Sequence, residues 1–181
     1  IDFSDCKFHS HKTSFEHASF RSNELTFEHA HFTGDSLLFV NATFAAAEVN
    51  FKRVNFADAR VKFHFAEFGD GAKLFERIRV NGPIFDFRRV VFGNGKVDFR
   101  RAIFGKGFVT FEESEINTGK LTFRMARFDG GDLSFRRTDF GQDEANFDHA
   151  DFNNRSITFE GADVSVLSMS NSFIRGNLDL R

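Results

Sequence analysis

Large apolar residues recur along this chain at a fixed step of twelve. Phenylalanine stands at Phe3, Phe15, Phe27, Phe39 and onward at the same interval to Phe159, without a slip. Five residues after each comes a second large apolar residue, from Phe8, Phe20 and Phe32 to Phe140, Phe152 and Val164, with Val80 and Ile116 as the other replacements. These two positions hold 25 of the 29 phenylalanines, so aromatic residues are allotted to a repeat rather than scattered through a core. Between them lies a mostly small residue, such as Cys6, Ala18, Ala30, Ala102 or Ala150. Two places before the first Phe comes an aliphatic residue in most repeats, with Thr13 and Lys73 as lapses. The unit is L-x-F-x-x-A-x-F followed by four more residues.

Alternating side chains on an extended backbone put both apolar residues of L-x-F on one side, and likewise both of A-x-F. Each repeat therefore predicts two short strands, with a two-residue corner between them and a four-residue corner after. The longer corners read TGDS, GDGA, GNGK, GKGF, NTGK and DGGD, residue types that accept positive φ in tight turns. An amphipathic helix does not fit, because steps of five and then seven do not stay on one face at 3.6 residues per turn. A coil of only twelve residues is too thin to enclose two Phe, an aliphatic and a small residue at protein packing density. Two repeats per coil solve this. They predict a four-sided β-solenoid of about 24 residues per coil, rising ~4.8 Å each time, with roughly seven and a half coils.

The A-x-F triplets at Ala18–Phe20, Ala30–Phe32, Ala42–Phe44, Ala102–Phe104, Ala126–Phe128 and Ala150–Phe152 give the chain a pattern that resembles the pentapeptide-repeat family. The resemblance implies an all-β, right-handed quadrilateral β-helix across essentially the whole chain. This sequence departs from the family pattern in alternating five-residue with seven-residue spacing. A functional loop known elsewhere in the family has no obvious counterpart here. The twelve-residue register ends after about residue 164, since Asn171 and Gly176 fall where large apolar residues are due. A five-residue register through Val164, Met169 and Ile174 then fits about as well as one through Phe173 and Leu178. Residues 1–181 read as a single solenoid. A chain that begins at Ile1 and ends in mid-pattern is expected to be a segment of a longer protein.

Composition narrows the function. Formal net charge is −2, so the chain as a whole is neither a basic nucleic-acid binder nor a strongly acidic mimic. One cysteine, Cys6, excludes an internal disulfide framework and is expected to substitute for Ala in the core. No apolar run is long enough to span a bilayer. The expected compartment is the cytoplasm, with a membrane-associated full-length protein left open. No phosphate-loop or nucleophile-elbow motif is present, and the histidines near the start lack recurrent ligand spacing. Catalysis, a metal and a cofactor are therefore not expected.

Stacking at 24 residues turns the sequence into a surface map. On the side formed by even-numbered repeats, the positions after the first Phe alternate in charge along the axis, as in Arg88, Glu112, Arg136, Glu160, which is the arrangement of structural cross-strand pairs. On the odd side, Asp5, His29, Arg53, Arg77, Arg101, Met125 and His149 form one column with three arginines in succession. Arg79 is nearby across a small residue, and Glu76 is the main interruption. Residues 52–137 carry net charge +7 and the rest −9. The candidate binding residues are accordingly Arg53, Arg77, Arg79 and Arg101, facing an anionic partner. A solvated face is the plainer reading, since charge runs usually solvate. A second candidate is an apolar contact patch of Leu38, Val40 and Phe65 beside a turn at Ala45–Ala47.

The sequence thus predicts a non-catalytic scaffold or protein-interaction module, with a protein or a flanking domain of its own chain as partner and a homodimer as another possibility. Anion or nucleic-acid binding through the arginine stripe is an alternative. The family resemblance implies one more: some pentapeptide-repeat proteins look like B-form DNA and inhibit type II topoisomerases. The basic middle argues against that mimicry here.

Overall fold

The computed structural model describes residues 1–117, 119–153 and 156–181. Among them the strand pairings are parallel, and over most of the chain the partners are 24 residues apart: Phe8 with Phe32, Leu37 with Val61, Phe44 with Phe68, Val97 with Leu121. The strands stack in four columns. Face I follows Leu25, Val49, Lys73, Val97, Leu121 and Ala145. Face II carries Phe8 and Phe32 and then Val80, Phe104, Phe128 and Phe152. Face III carries Thr13, Leu37, Val61, Phe85, Val109, Leu133 and Ile157. Face IV carries Phe20, Phe44, Phe68, Phe92 and Ile116. The chain is an all-β, four-sided solenoid of about seven turns with the expected 24-residue coil.

Ring packing explains the repeat. Phe27, Phe51, Phe75, Phe99 and Phe123 stack face to face with centroids 4.7–5.0 Å apart. Phe39, Phe63, Phe87, Phe111 and Phe135 form a second stack at 4.5–5.2 Å. These separations match the spacing of hydrogen-bonded strands, so one rise satisfies both backbone and rings. The two stacks meet edge to face, as Phe63 meets Phe75 at 90° and 6.0 Å, which brings ring edges against ring faces. Where Val80 interrupts the Phe column of face II, Phe85 occupies an aliphatic position on face III and contacts both Phe56 and Phe104 at 5.7 Å. The lost ring is thus supplied from the adjacent strand.

The two-residue corner is a turn closed by the small residue's N–H donating to the Phe carbonyl, as Ala30 does to Phe27 at 2.9 Å and Ala126 to Phe123 at 2.8 Å. Its second residue is left-handed in coil after coil: His29 (φ 60°), Arg53 (57°), Arg77 (59°), Arg101 (57°), Glu113 (56°) and Met125 (61°). This is a type II turn, in which that place usually falls to Gly or Asn. A left-handed L-residue costs roughly 1–2 kcal/mol. Stacking holds it there, because its N–H donates across the coils, Arg53 to the Glu76 carbonyl at 2.9 Å and Arg101 to the Arg124 carbonyl at 3.1 Å. A polar side chain immediately before the Phe completes the turn by accepting the N–H two residues on. Asn50 accepts from Lys52, Asp86 from Arg88, Asp98 from Arg100 and Thr122 from Arg124.

The four-residue corner between faces IV and I changes along the axis. In the first coils it is absent as a turn: Ser19–Thr26 and Thr43–Asn50 run through it as continuous paired strands. Ala45–Ala47, expected as a turn, are therefore strand. Further on, Gly71 (φ 114°) and Gly95 (φ 102°) make a sharp bend, and a Cβ on Gly71 would lie 1.9 Å from the Ala47 carbonyl oxygen. In the last coil the spacing contracts. Ala145 pairs with Leu167 and Phe152 with Ile174, 22 residues apart, and Ile157 pairs with Leu178, 21 apart. Met169 and Leu178 are half-buried there, whereas Phe173 is 65% exposed.

Candidate binding surface

The turn between faces I and II, the odd corner, places Arg53, Arg77 and Arg101 in one exposed column on successive coils. Their side chains project from left-handed residues fixed by inter-coil hydrogen bonds, so their roots are rigid. Arg53 lies 3.7 Å from Glu28 and donates toward the His29 Nε2 at 3.1 Å. His29 in turn has its Nδ1 3.5 Å from Asp5. Arg77 is 3.7 Å from Glu76, which also sits 3.6 Å from Arg100. These are long, partly exposed contacts of the kind that contributes little. Among the described residues Lys52, Arg101 and Arg124 have no ion-pair partner. Two shallow depressions follow the column, one of about 240 Å³ lined by Glu28, Lys52, Arg53, Glu76 and Arg77, the next of about 90 Å³ between Glu76, Arg100, Arg101, Arg124 and Met125. Arg79 does not join them. It stands on face II, in the column of Asn55, Ile103 and Arg127.

The even corner, between faces III and IV, has the same backbone but closes most of its charges at short distance, with Arg137 reaching Glu113 at 3.7 Å. Arg89 Nε donates to Glu113 at 2.7 Å, and that carboxylate is held below its ordinary range by this hydrogen bond. Arg136 bonds Glu160 at 3.2 Å. Arg88 folds back on the fully buried Asp86 with two side-chain bonds of 3.0 and 2.7 Å, and the hydrogen bond raises its own pKa. His64 Nε2 is buried with no partner, and burial lowers the imidazole pKa.

The apolar candidates are divided between face III and the even corner. Leu38 is half-buried on face III between Ser14 and Lys62, and Val40 is half-buried on the even corner. Phe65 is 43% exposed, but its ring stacks on His64 at 4.2 Å and lies under the Arg89 guanidinium at 5.5 Å. It belongs to a cation–π cluster.

Two groups elsewhere carry unusual chemistry. On face I, Lys73 replaces an aliphatic residue and is 1% exposed, with its Nζ donating to the carbonyls of Asn94 at 2.7 Å and Gly93 at 3.3 Å. Burial pushes it down to about 8, against an opposing pull from Asp70. Burial works to raise the Asp98 carboxyl, but hydrogen bonds from Arg100 and Lys96 outweigh it and hold the group below the ordinary carboxylate range. The Asp, Asn, Ser or Thr before each Phe, which builds both corners, was readable as a column from Asp2, Ser14 and Thr26 onward, with Leu38, Lys62 and Leu74 as lapses. Among the described residues no group of three or more His, Cys, Asp or Glu is arranged to hold a metal ion. Among the described residues no helix is long and apolar enough to cross a membrane.

No protein-family model matches the sequence, and no similar curated protein is found. Among solved structures, the chain is similar to HetL, a pentapeptide repeat protein involved in heterocyst differentiation regulation from the cyanobacterium Nostoc sp. strain PCC 7120. Identity is 12%, coverage is 92% of this chain and 91% of that one, and the TM-score is 0.24. At that level the similarity carries no argument, and the solenoid stands on its own hydrogen bonds and ring stacks.

Proposed function

We propose that this chain is a non-catalytic scaffold that binds a protein partner through its side surfaces, with the odd corner as the principal contact. One observation carries the reading. The same turn is built on both sides of the solenoid, and on each side an arginine folds back on a buried Asp, Arg88 on Asp86 and Arg100 on Asp98. Yet in the left-handed column Arg89 is closed by Glu113 at 2.7 Å on the even side, where Arg137 reaches that carboxylate at 3.7 Å. On the odd side Arg53 and Arg77 have only 3.7 Å contacts to carboxylates and, among the described residues, Lys52, Arg101 and Arg124 have no ion-pair partner. Unpaired cations on a rigid edge raise the local potential and steer an acidic surface toward it. The partner class is an acidic protein face rather than a nucleic-acid backbone, because Glu28 and Glu76 lie in the same depressions and would repel a continuous row of phosphates. The test is capture from lysate of the source organism at low and high salt, with wild type against Arg53→Glu/Arg77→Glu/Arg101→Glu. Capture that is lost in the variant and weakened by salt supports the reading; capture that survives the triple change overturns it.

A further inference from the structure

A different pair of surfaces matches each other. Face II presents Arg79, Ile103 and Arg127 on three successive rungs, paired in register with one another. Face IV, on the opposite side of the coil, presents Glu67, Val91 and Glu115 on three successive rungs, likewise in register. The sequence of characters is cation, aliphatic, cation on one face and anion, aliphatic, anion on the other. Each face II residue lies twelve positions after its counterpart, so a single lateral translation of one molecule beside another brings Arg79 to Glu67, Ile103 to Val91 and Arg127 to Glu115. The four charged residues are exposed and the two aliphatics are half-buried. Among the described residues, Arg79, Glu67 and Glu115 have no ion-pair partner. Arg127 holds Asp129 at 2.6 Å, which leaves Arg79 as the stronger attractor.

We infer that the occupant of these faces is a second copy of this chain, stacked side by side and pointing the same way along the axis. Period supports this choice: two copies of one solenoid share a rise, so three contacts align without strain. The rung before is neutral, Asn55 against Thr43. The rung after sets Asp151 against Asp139 and ends the match, with Asp151 already paired to Arg175 at 3.3 Å. Four rungs at ~4.8 Å span roughly 14 Å along the axis. One outward side chain per rung covers far less than the ~800 Å² per partner of a standard interface, so association is weak and concentration-dependent. The contact is heterologous, the pair keeps one unused face IV at one end and one unused face II at the other, and the product is an open row rather than a closed dimer. Arg53, Arg77 and Arg101 take no part, so this inference and the scaffold reading fail separately.

The test is sedimentation velocity of the whole chain across a concentration series at low and at high salt. Wild type is expected to show mass that grows with concentration at low salt, with the association constant falling about tenfold or more as charges are screened. Arg79→Glu/Arg127→Glu and Glu67→Lys/Glu115→Lys, each alone, are expected to stay monomeric, because each then carries two like-charged faces. Mixing the two in equal amounts is expected to restore association, an outcome that misfolding cannot produce. Wild type that stays monomeric at millimolar concentration and low salt, association indifferent to both reversals, or a mixture that does not recover would overturn the inference.

Discussion

The odd and even corners are one backbone with two kinds of surface. Both are turns closed by a small residue, with a left-handed second residue and, in most coils, a polar residue before the Phe. On the even corner Arg89 and Glu113, and Arg136 and Glu160, meet across adjacent coils. On the odd corner Arg77 and Arg101 stack on each other's column with no carboxylate between them in that column. The difference teaches that the repeat fixes the frame and leaves two outward positions per turn free to vary. The internal positions carry the stability, and the turn positions are free to differ between the two sides.

If the frame is common, the interior should respond equally on both sides. Phe75→Ala beneath the odd corner and Phe87→Ala beneath the even one each remove a fully buried, stacked ring. Both are expected to lose about 3–5 kcal/mol in urea denaturation. A loss confined to one side would break the equivalence.

Lys73 is the largest local exception to the frame. Its folded-state value of about 8 lies below the ordinary 10.5, so burial penalises the charged form. The penalty is complete below pH 8 and is relieved as pH rises toward 10.5, because the folded chain sheds the proton before the unfolded chain does. Unfolding free energy is expected to climb by roughly 3 kcal/mol over that window, and the Lys73→Leu variant to lack the climb. Equal pH profiles for the two proteins would show that Lys73 is not penalised.

Smaller effects separate the corners directly. Arg101→Gly releases left-handed strain at an unpaired residue and is expected to stabilise by about 1 kcal/mol. Arg89→Gly releases the same strain but loses the Glu113 bond and the contact with Phe65, so its gain should be smaller. Paired thermal melts of the two variants check this. Identical gains would mean that the even-corner pairing contributes nothing.

Much of this was legible in the sequence. A Phe every twelve residues and a partner five places on were enough for the four-sided coil and the 24-residue register, because ring columns and strand ladders share one rise. The left-handed turn residues were not legible, since Arg, His, Met and Phe do not favour that conformation alone; only stacking hydrogen bonds reveal why they accept it. The stripe of arginines was visible as a column with Glu76 as its interruption, but the reach of Glu28 to Arg53 was not, because side-chain direction at a corner does not follow from spacing. Arg79 illustrates the same limit: two residues from Arg77, it falls on another face. Phe65 looked like an apolar contact by residue type, whereas its place between His64 and Arg89 gives it a structural use. The last coil is shorter because the corner after Val164 loses two residues, so Met169 continues the Phe147 column, a deletion that a fixed period could register only as a break.

The claim that unpaired charge at the odd corner, rather than charge in general, makes the contact surface is tested most directly by two triple variants with the same change in net charge. One is Arg53→Glu/Arg77→Glu/Arg101→Glu, and the other is Arg89→Glu/Arg136→Glu/Arg137→Glu on the even corner. Measured side by side for capture of the same partner, the odd variant is predicted to lose it and the even variant to keep it. Equal loss in both, or loss only in the even variant, would contradict the account.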